Sequence, residues 1–266
     1  MTRANFYIGP KEQIQPDKLP SFENGKWIAE EKIDGCWAAI ETNPTGQISK
    51  LYSRTNVSWQ VGLIGMDINL PNTVLAGELE VATQAATKLY QKLRYRRVWL
   101  FDVPVLLGQD TSNLPYAKRR ELLEIAFNKI NDKHICLVES KQDNFKKFFE
   151  DIKSNGGEGI VLKRIDSKYK RSSSDGKVDY WVRCKQDNTV DFYVIGLGKT
   201  PSGLDNLELG LPKDGKMCYV QSIAIPKGYK AGQLIGQVVE CIGDYQQDSG
   251  ALRHARLLRI RTDKEI

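Results

Sequence analysis

Lys32 is the first residue of this chain whose surroundings suggest chemistry. It lies in Glu30-Glu31-Lys32-Ile33-Asp34-Gly35, between the apolar runs Trp27-Ile28-Ala29 and Trp37-Ala38-Ala39-Ile40. Both runs read as strands, and Asp34-Gly35 reads as a tight turn between them. A lysine with a pKa of about 10.4 keeps its proton at neutral pH and is a poor nucleophile. Burial or a nearby metal ion lowers that pKa, and carboxylates able to hold a metal are present. The same residues also describe an exposed lysine on an Asp-Gly hairpin. The motif gains weight only from partners downstream.

Such partners fall at strand ends. In Gly77-Glu78-Leu79-Glu80, alternation puts Glu78 and Glu80 on one face of a strand. Glu80 reads as solvated strand surface. Asp102 interrupts the apolar strand Val98–Val103, where a buried acid needs a partner, structural or functional. Gly156-Gly157-Glu158-Gly159 sets an acid among glycines, which permit close approach of a ligand. Glu78 and Glu158 suit a hard cation such as Mg²⁺. Lys163 ends the next strand, and Trp181, Arg183 and Lys185 share a face of the one after it. Converging cations suit phosphate, although an exposed strand face has the same pattern. Two basic runs stand out: Lys163, Arg164, Lys168, Lys170 and Arg171 against Asp166, and Arg253, Arg256, Arg259, Arg261 and Lys264 against Asp263. Two such runs in one chain raise the odds of a nucleic-acid track.

The elements that must position these groups change character along the chain. Residues 1–26 read as an ordered lead-in. Strands follow at 27–42, 50–54 and 73–82, a helix over Ala85–Arg94, and the strand Val98–Val103. Pro115–Ile130 and Phe145–Ser154 read as helices, with strands Gly159–Arg164 and Tyr180–Gln186 after them and a polar loop Lys168–Lys177 between those strands. Beyond Asp187 only strands are expected, near 190–198, 217–225, 236–245 and 256–262. That many short strands in so few residues fit a small OB-type barrel. The expected division is 1–187 and 188–266.

Composition narrows the class. The 266 residues are 41% hydrophobic and 27% charged, as in ordinary soluble globular proteins, and carry a formal net charge of +6. No apolar run approaches membrane-spanning length, and Met1–Pro10 has no secretory pattern, so a cytoplasmic protein is expected. Five scattered cysteines without Cys-x-x-Cys argue for reduced thiols, and two distant histidines argue against a zinc site or a histidine triad.

Taken in order, these pieces resemble the covalent nucleotidyltransferases, most closely a minimal ATP-dependent DNA ligase. Glu30-x-Lys32-x-Asp34-Gly35 resembles the adenylylation motif. Ser53-Arg54, Gly77-Glu78, Leu100-Phe101-Asp102, Glu158-Gly159-Ile160-Val161-Leu162-Lys163, Trp181-Val182-Arg183-Cys184-Lys185 and Arg261-Thr262-Asp263-Lys264 resemble the motifs that follow it. The resemblance implies an α+β fold: an adenylation domain of antiparallel sheets with flanking helices, then an all-β OB-fold barrel. It implies Lys32 as the nucleophile. Glu30, Ile33, Arg54, Glu78, Phe101, Lys163, Arg183, Lys185, Arg261 and Lys264 would contact ATP or AMP, with Phe101 stacking on the base. Glu78 and Glu158 would hold Mg²⁺, for which Mn²⁺ could substitute. Arg54, Lys168, Lys170, Arg171, Lys177, Arg253, Arg256 and Arg259 would contact DNA. The implied partner is nicked double-stranded DNA, bound by a monomer with no membrane association. Two positions depart from the family pattern: Trp37 stands where an arginine is common, and Arg183 where the first lysine of its motif is common. A capping guanylyltransferase and an RNA ligase share parts of the pattern. A non-catalytic OB-type nucleic-acid-binding protein is the rival of a different class.

Overall fold

The computed structural model describes residues 6–59, 62–81, 95–170, 176–185, 187–244, 246–247 and 249–264. The helix expected over Ala85–Arg94 therefore lies outside the described residues, as does Arg171. The chain divides into two units, Met1–Lys185 and Gln186–Ile266.

The first unit begins with β1 (Gly9–Ile14) and a 3-10 segment, Pro16–Phe22, so the expected lead-in already contributes a strand. There follow β2 (Trp27–Glu31), β3 (Gly35–Thr42), β4 (Ile48–Ser53), β5 (Val74–Val81), β6 (Tyr95–Leu106) and β7 (Gln109–Asp110). Then come α1 (Tyr116–Phe127), β8 (Ile135–Leu137), β9 (Ser140–Lys141), α2 (Phe145–Ser154), β10 (Ile160–Arg164) and β11 (Lys177–Cys184). Among the described residues these form two sheets. The first has the order β1-β11-β10-β2-β9, the second β4-β3-β5-β6-β7 with β8 added to β6. Of the pairings among described residues, only β1 with β11 and β6 with β8 run parallel.

Lys32 lies at the crossing between these sheets. β2 pairs with β10 and β9, whereas β3 pairs with β4 and β5. The expectation of a tight Asp34-Gly35 turn between paired strands is thus corrected: residues 32–34 carry the chain from one sheet to the other. Gly35 serves a close approach instead. A Cβ there would lie 2.3 Å from the Leu79 carbonyl oxygen on β5. Alternation identifies strands but not their partners, and the crossing was hidden for that reason.

Three cores hold this unit. Ala38, Ile40, Leu51, Leu75, Leu79, Val98 and Leu100 cover one face of the second sheet, joined by Leu123 and Ala126 of α1. Its other face, with Trp37, Ala39, Tyr52, Ala76 and Phe101, meets Val161, Val178 and Trp181 of the first sheet. The outer face of the first sheet packs on α2, whose Phe145, Phe148, Phe149 and Ile152 follow helical spacing. Burying each such side chain contributes roughly 1.5–3 kcal/mol.

The second unit holds β12 (Asn188–Lys199), β13 (Asp205–Lys213), β14 (Lys216–Ala224), β15 (Val238–Gly243) and β16 (Arg256–Ile260). They form an antiparallel sheet in the order β14-β13-β12-β15-β16 over a core of Phe192, Val194, Leu207, Leu209, Val239 and Cys241. β13 was not expected, because Gly210 and Pro212 break its strand pattern. Among the described residues no ladder joins β14 to β16. No described helix is long and apolar enough to cross a membrane.

Candidate active site

The backbone N–H of Lys32 donates to the Gly159 carbonyl at 2.8 Å, fixing the lysine beside the start of β10. Gly159 has φ +146°, and a Cβ there would lie 2.2 Å from the Cys184 carbonyl oxygen. Only glycine lets these chain ends approach so closely. The approach places Glu158 between two lysines. Lys32 Nζ lies 2.6 Å from Glu158 Oε2, and Lys185 Nζ lies 3.8 Å from Glu158 Oε1.

Glu78 reaches the same place from β5. Its Cγ would touch a Cβ on Gly35 at 3.0 Å, which ties the motif glycine to this acid. Burial pushes the Glu78 carboxyl up to about 8; Lys32 and Arg54 oppose the shift, and Glu158 adds to it. A second carboxylate beside Glu158 is thus costly to ionise without further positive charge. Oxygen donors with that deficit fit a hard divalent cation that keeps several waters. Arg54 itself is exposed, at the end of β4.

Lys163 is placed differently from the expectation. It was expected to contact phosphate alongside Arg183 and Lys185, but it is buried, 2% exposed. Its Nζ lies 2.5 Å from Glu30 Oε2 and donates to the Phe101 carbonyl at 3.1 Å. It sits 4.5 Å over the Phe101 ring and 4.2 Å over the Trp181 ring. Strand alternation explains this: Lys163 shares its face with Val161, which points between the sheets. Burial holds its pKa down, with Glu30 opposing. Glu30 is also buried, and its Oε1 accepts hydrogen bonds from Arg120 Nη1 at 2.9 Å and from the Tyr116 hydroxyl.

Phe101 is half-buried and stands edge-on to Trp181, with ring centroids 5.9 Å apart. Arg183 Nε donates to Gln13 Oε1 at 3.1 Å across the β1–β11 pair. Ile33 is half-buried next to Lys32. Trp37 packs edge-on to Tyr7 at 5.4 Å, so the position where the family commonly has arginine is filled by a core ring. Asp102 is structural. It is fully buried and accepts from Arg119 Nε at 2.8 Å and Nη2 at 2.9 Å. Glu80 accepts from Trp99 Nε1 at 3.0 Å rather than facing water alone.

The partners Arg119, Arg120 and Tyr116 were missed. Their signal was available: with Leu123 and Ala126 they fall on one helical face, and buried arginines demand acids.

Within the second unit, Arg261 Nη1 donates to both Asp191 oxygens, at 3.0 and 2.8 Å. Its Nε and Nη2 form a fork on Asp263, at 2.8 and 2.7 Å. Lys264 Nζ lies 2.5 Å from Asp191. Arg259 pairs with Glu240 at 2.5 Å and Arg256 with Asp187 at 3.8 Å. Arg253 is half-buried, and burial lowers its pKa. In the first unit Lys168, Lys170 and Lys177 are exposed.

The site thus gathers Lys32, at the crossing between the two sheets, with Glu158, Glu78 and Lys185. Residues 63–185 match the family model described as the ATP dependent DNA ligase domain. It is 26% identical over 211 residues to a DNA ligase of Thermoplasma volcanium, a match spanning 68% of this chain and 36% of that protein. Among solved structures, it superposes on one titled mycobacterial DNA ligase D complexed with ATP and MES. That match has a TM-score of 0.55, 22% identity and coverage of 91% of each chain. A structure from a study titled "DNA binding with a minimal scaffold: Structure-function analysis of Lig E DNA ligases" gives a TM-score of 0.63 at 18% identity. It covers 97% of this chain and 100% of the other. These two likenesses establish the fold.

Proposed function

We propose that this chain is an ATP-dependent DNA ligase that seals nicks in duplex DNA through a lysyl-AMP intermediate on Lys32. The observation carrying this reading is the 2.6 Å contact of Lys32 Nζ with Glu158, beside Glu78 and Lys185. In the first step Lys32 Nζ attacks the α-phosphorus of ATP. A nitrogen–phosphorus bond forms, the bond to the bridging oxygen breaks, and pyrophosphate leaves. Glu158 is the nearest acceptor for the proton that Lys32 must release. The AMP then passes to the 5′-phosphate at a nick, and the 3′-hydroxyl displaces it. Mg²⁺, held by Glu78 and Glu158, would neutralise charge developing on the phosphates. Lys185 offers a second cation there, as does Arg183 once it leaves Gln13.

In this reading the second unit is the OB-type domain, and Arg261 and Lys264 act on the triphosphate in the first step. DNA is gripped through its phosphates by Arg54, Lys168, Lys170, Arg171, Lys177, Arg253, Arg256 and Arg259, without reading sequence. The test is sealing of a nicked duplex with ATP and Mg²⁺, with GTP as control. Sealing with ATP supports the reading. A covalent adduct with GTP and no sealing would assign a capping-type enzyme instead.

A further inference from the structure

Helix α1 carries two adjacent buried arginines: Arg119 bonds to the second sheet, and Arg120 links the first sheet to the second. Arg119 grips Asp102, the residue after Phe101 on β6 of the second sheet. Its Nη1 also donates to the carbonyls of Leu114 at 2.7 Å and Ser167 at 2.9 Å. Arg120 bridges the sheets: Nη1 donates to Glu30 Oε1 on β2 of the first sheet, and Nη2 donates at 2.8 Å to the carbonyl of Val138, which follows β8 and whose N–H bonds Leu100 on β6. Tyr116, one turn earlier, donates to the same Glu30 oxygen. The other oxygen of Glu30 holds Lys163.

A carboxylate has about four acceptor positions, and three of those on Glu30 are filled from within the protein. Glu30 therefore works as a hub. We propose that Arg120 and Tyr116 are positioning residues: through Glu30 they hold Lys163 against Phe101 and Trp181, and with Arg119 they fix the spacing of the two sheets at the nucleotide-binding cleft. This rests on the function proposed above. Both act through Glu30 and Lys163. Each sets nucleotide affinity by keeping Lys163 and the Phe101 ring in place before ATP arrives.

The chemistry of the hub supports the assignment. A lysine buried among three aromatic rings keeps its charge only beside a carboxylate. A carboxylate that deep keeps its charge only with several donors. Loss of one donor loosens Glu30, and Lys163 then leaves its seat over Phe101.

The test is single-turnover self-adenylylation over a range of ATP concentrations, with a thermal melt of each protein. The variants are Tyr116→Phe, Arg120→Lys and Arg120→Met. The expected result is a rise in half-saturating ATP of about threefold for Tyr116→Phe and about tenfold or more for Arg120→Met, with Arg120→Lys between them. The saturating rate should stay within about threefold of the parent. If Arg120→Met does not fold, Tyr116→Phe decides. Unchanged half-saturating ATP in the folded variants, or a loss confined to melting temperature, would overturn the inference and leave the hub purely structural. If the parent protein forms no adduct, the function proposed above fails and takes this inference with it. An adduct in the parent with unaltered variants refutes this inference alone.

Discussion

The ε-amine of Lys32 lies 2.6 Å from a carboxylate oxygen of Glu158, a residue 126 positions further along the chain. Gly159 makes the meeting possible by letting β10 start against the end of β11, and Gly35 lets Glu78 come in beside them from the second sheet. Neither Lys32 nor Glu158 belongs to a packed core, so their contact is chemistry placed on a scaffold.

Glu158→Gln and Lys185→Ala should therefore lose nick sealing by about a hundredfold or more, the scale for removing a positioned charge from a reacting site. Their melting temperatures should stay within a few degrees of the parent. A large melting shift in either would mean that the site residues carry the fold.

Asp102→Ala should do the opposite. It strands the fully buried Arg119 without its acid, at a cost of about 3–5 kcal/mol. At about 2–4 °C per kcal/mol for a domain of this size, melting should fall by roughly 6–20 °C. A parent-like melt would contradict the structural role.

The Glu78 carboxyl, pushed up to about 8, gives a pH dependence with a definite sign. Between its unfolded pKa near 4.5 and about 8, the folded protein keeps a proton that the unfolded chain has lost. Metal-free stability should therefore fall as pH rises through that window, by at most about 1.4 kcal/mol per pH unit from this group. Glu78→Gln should flatten this slope, and Mg²⁺ should raise stability most at the upper end of the window. Melts of the metal-free protein, the variant and the Mg²⁺-loaded protein from pH 5 to 8 check this; identical slopes would refute it.

Much of the candidate site was legible because its residues are short-range motifs at strand ends. Lys32, Glu78, Glu158 and Lys185 meet as a linear reading suggests. Lys163 was read as a phosphate contact and its burial was not legible, because the face of β10 it occupies depends on which sheet lies opposite. Asp102 could be read only as needing a partner, and that partner sits on a helix whose buried face looks polar. β13 was hidden by Gly210 and Pro212, and β1 by its short polar segment with a distant parallel partner. Pairing between distant strands is set by packing, which a single sequence does not encode locally.

The exposed lysines of the first unit give a salt prediction. Replacing Lys168, Lys170 and Lys177 with Ala should flatten the log–log salt dependence of binding to nicked duplex by up to about 2.7, at about 0.9 for each phosphate no longer neutralised. Self-adenylylation should be nearly unaffected. An unchanged slope measured by titration at several salt concentrations would make these lysines ordinary solvated surface.

The most direct measurement is peptide mass spectrometry of the protein after incubation with ATP and Mg²⁺, run beside Lys32→Ala. One AMP attached through the amine of Lys32 is expected, with no adduct in Lys32→Ala and retained sealing by that variant of a nick already carrying AMP. An AMP on another residue, or an adduct that survives in Lys32→Ala, would contradict Lys32 as the nucleophile.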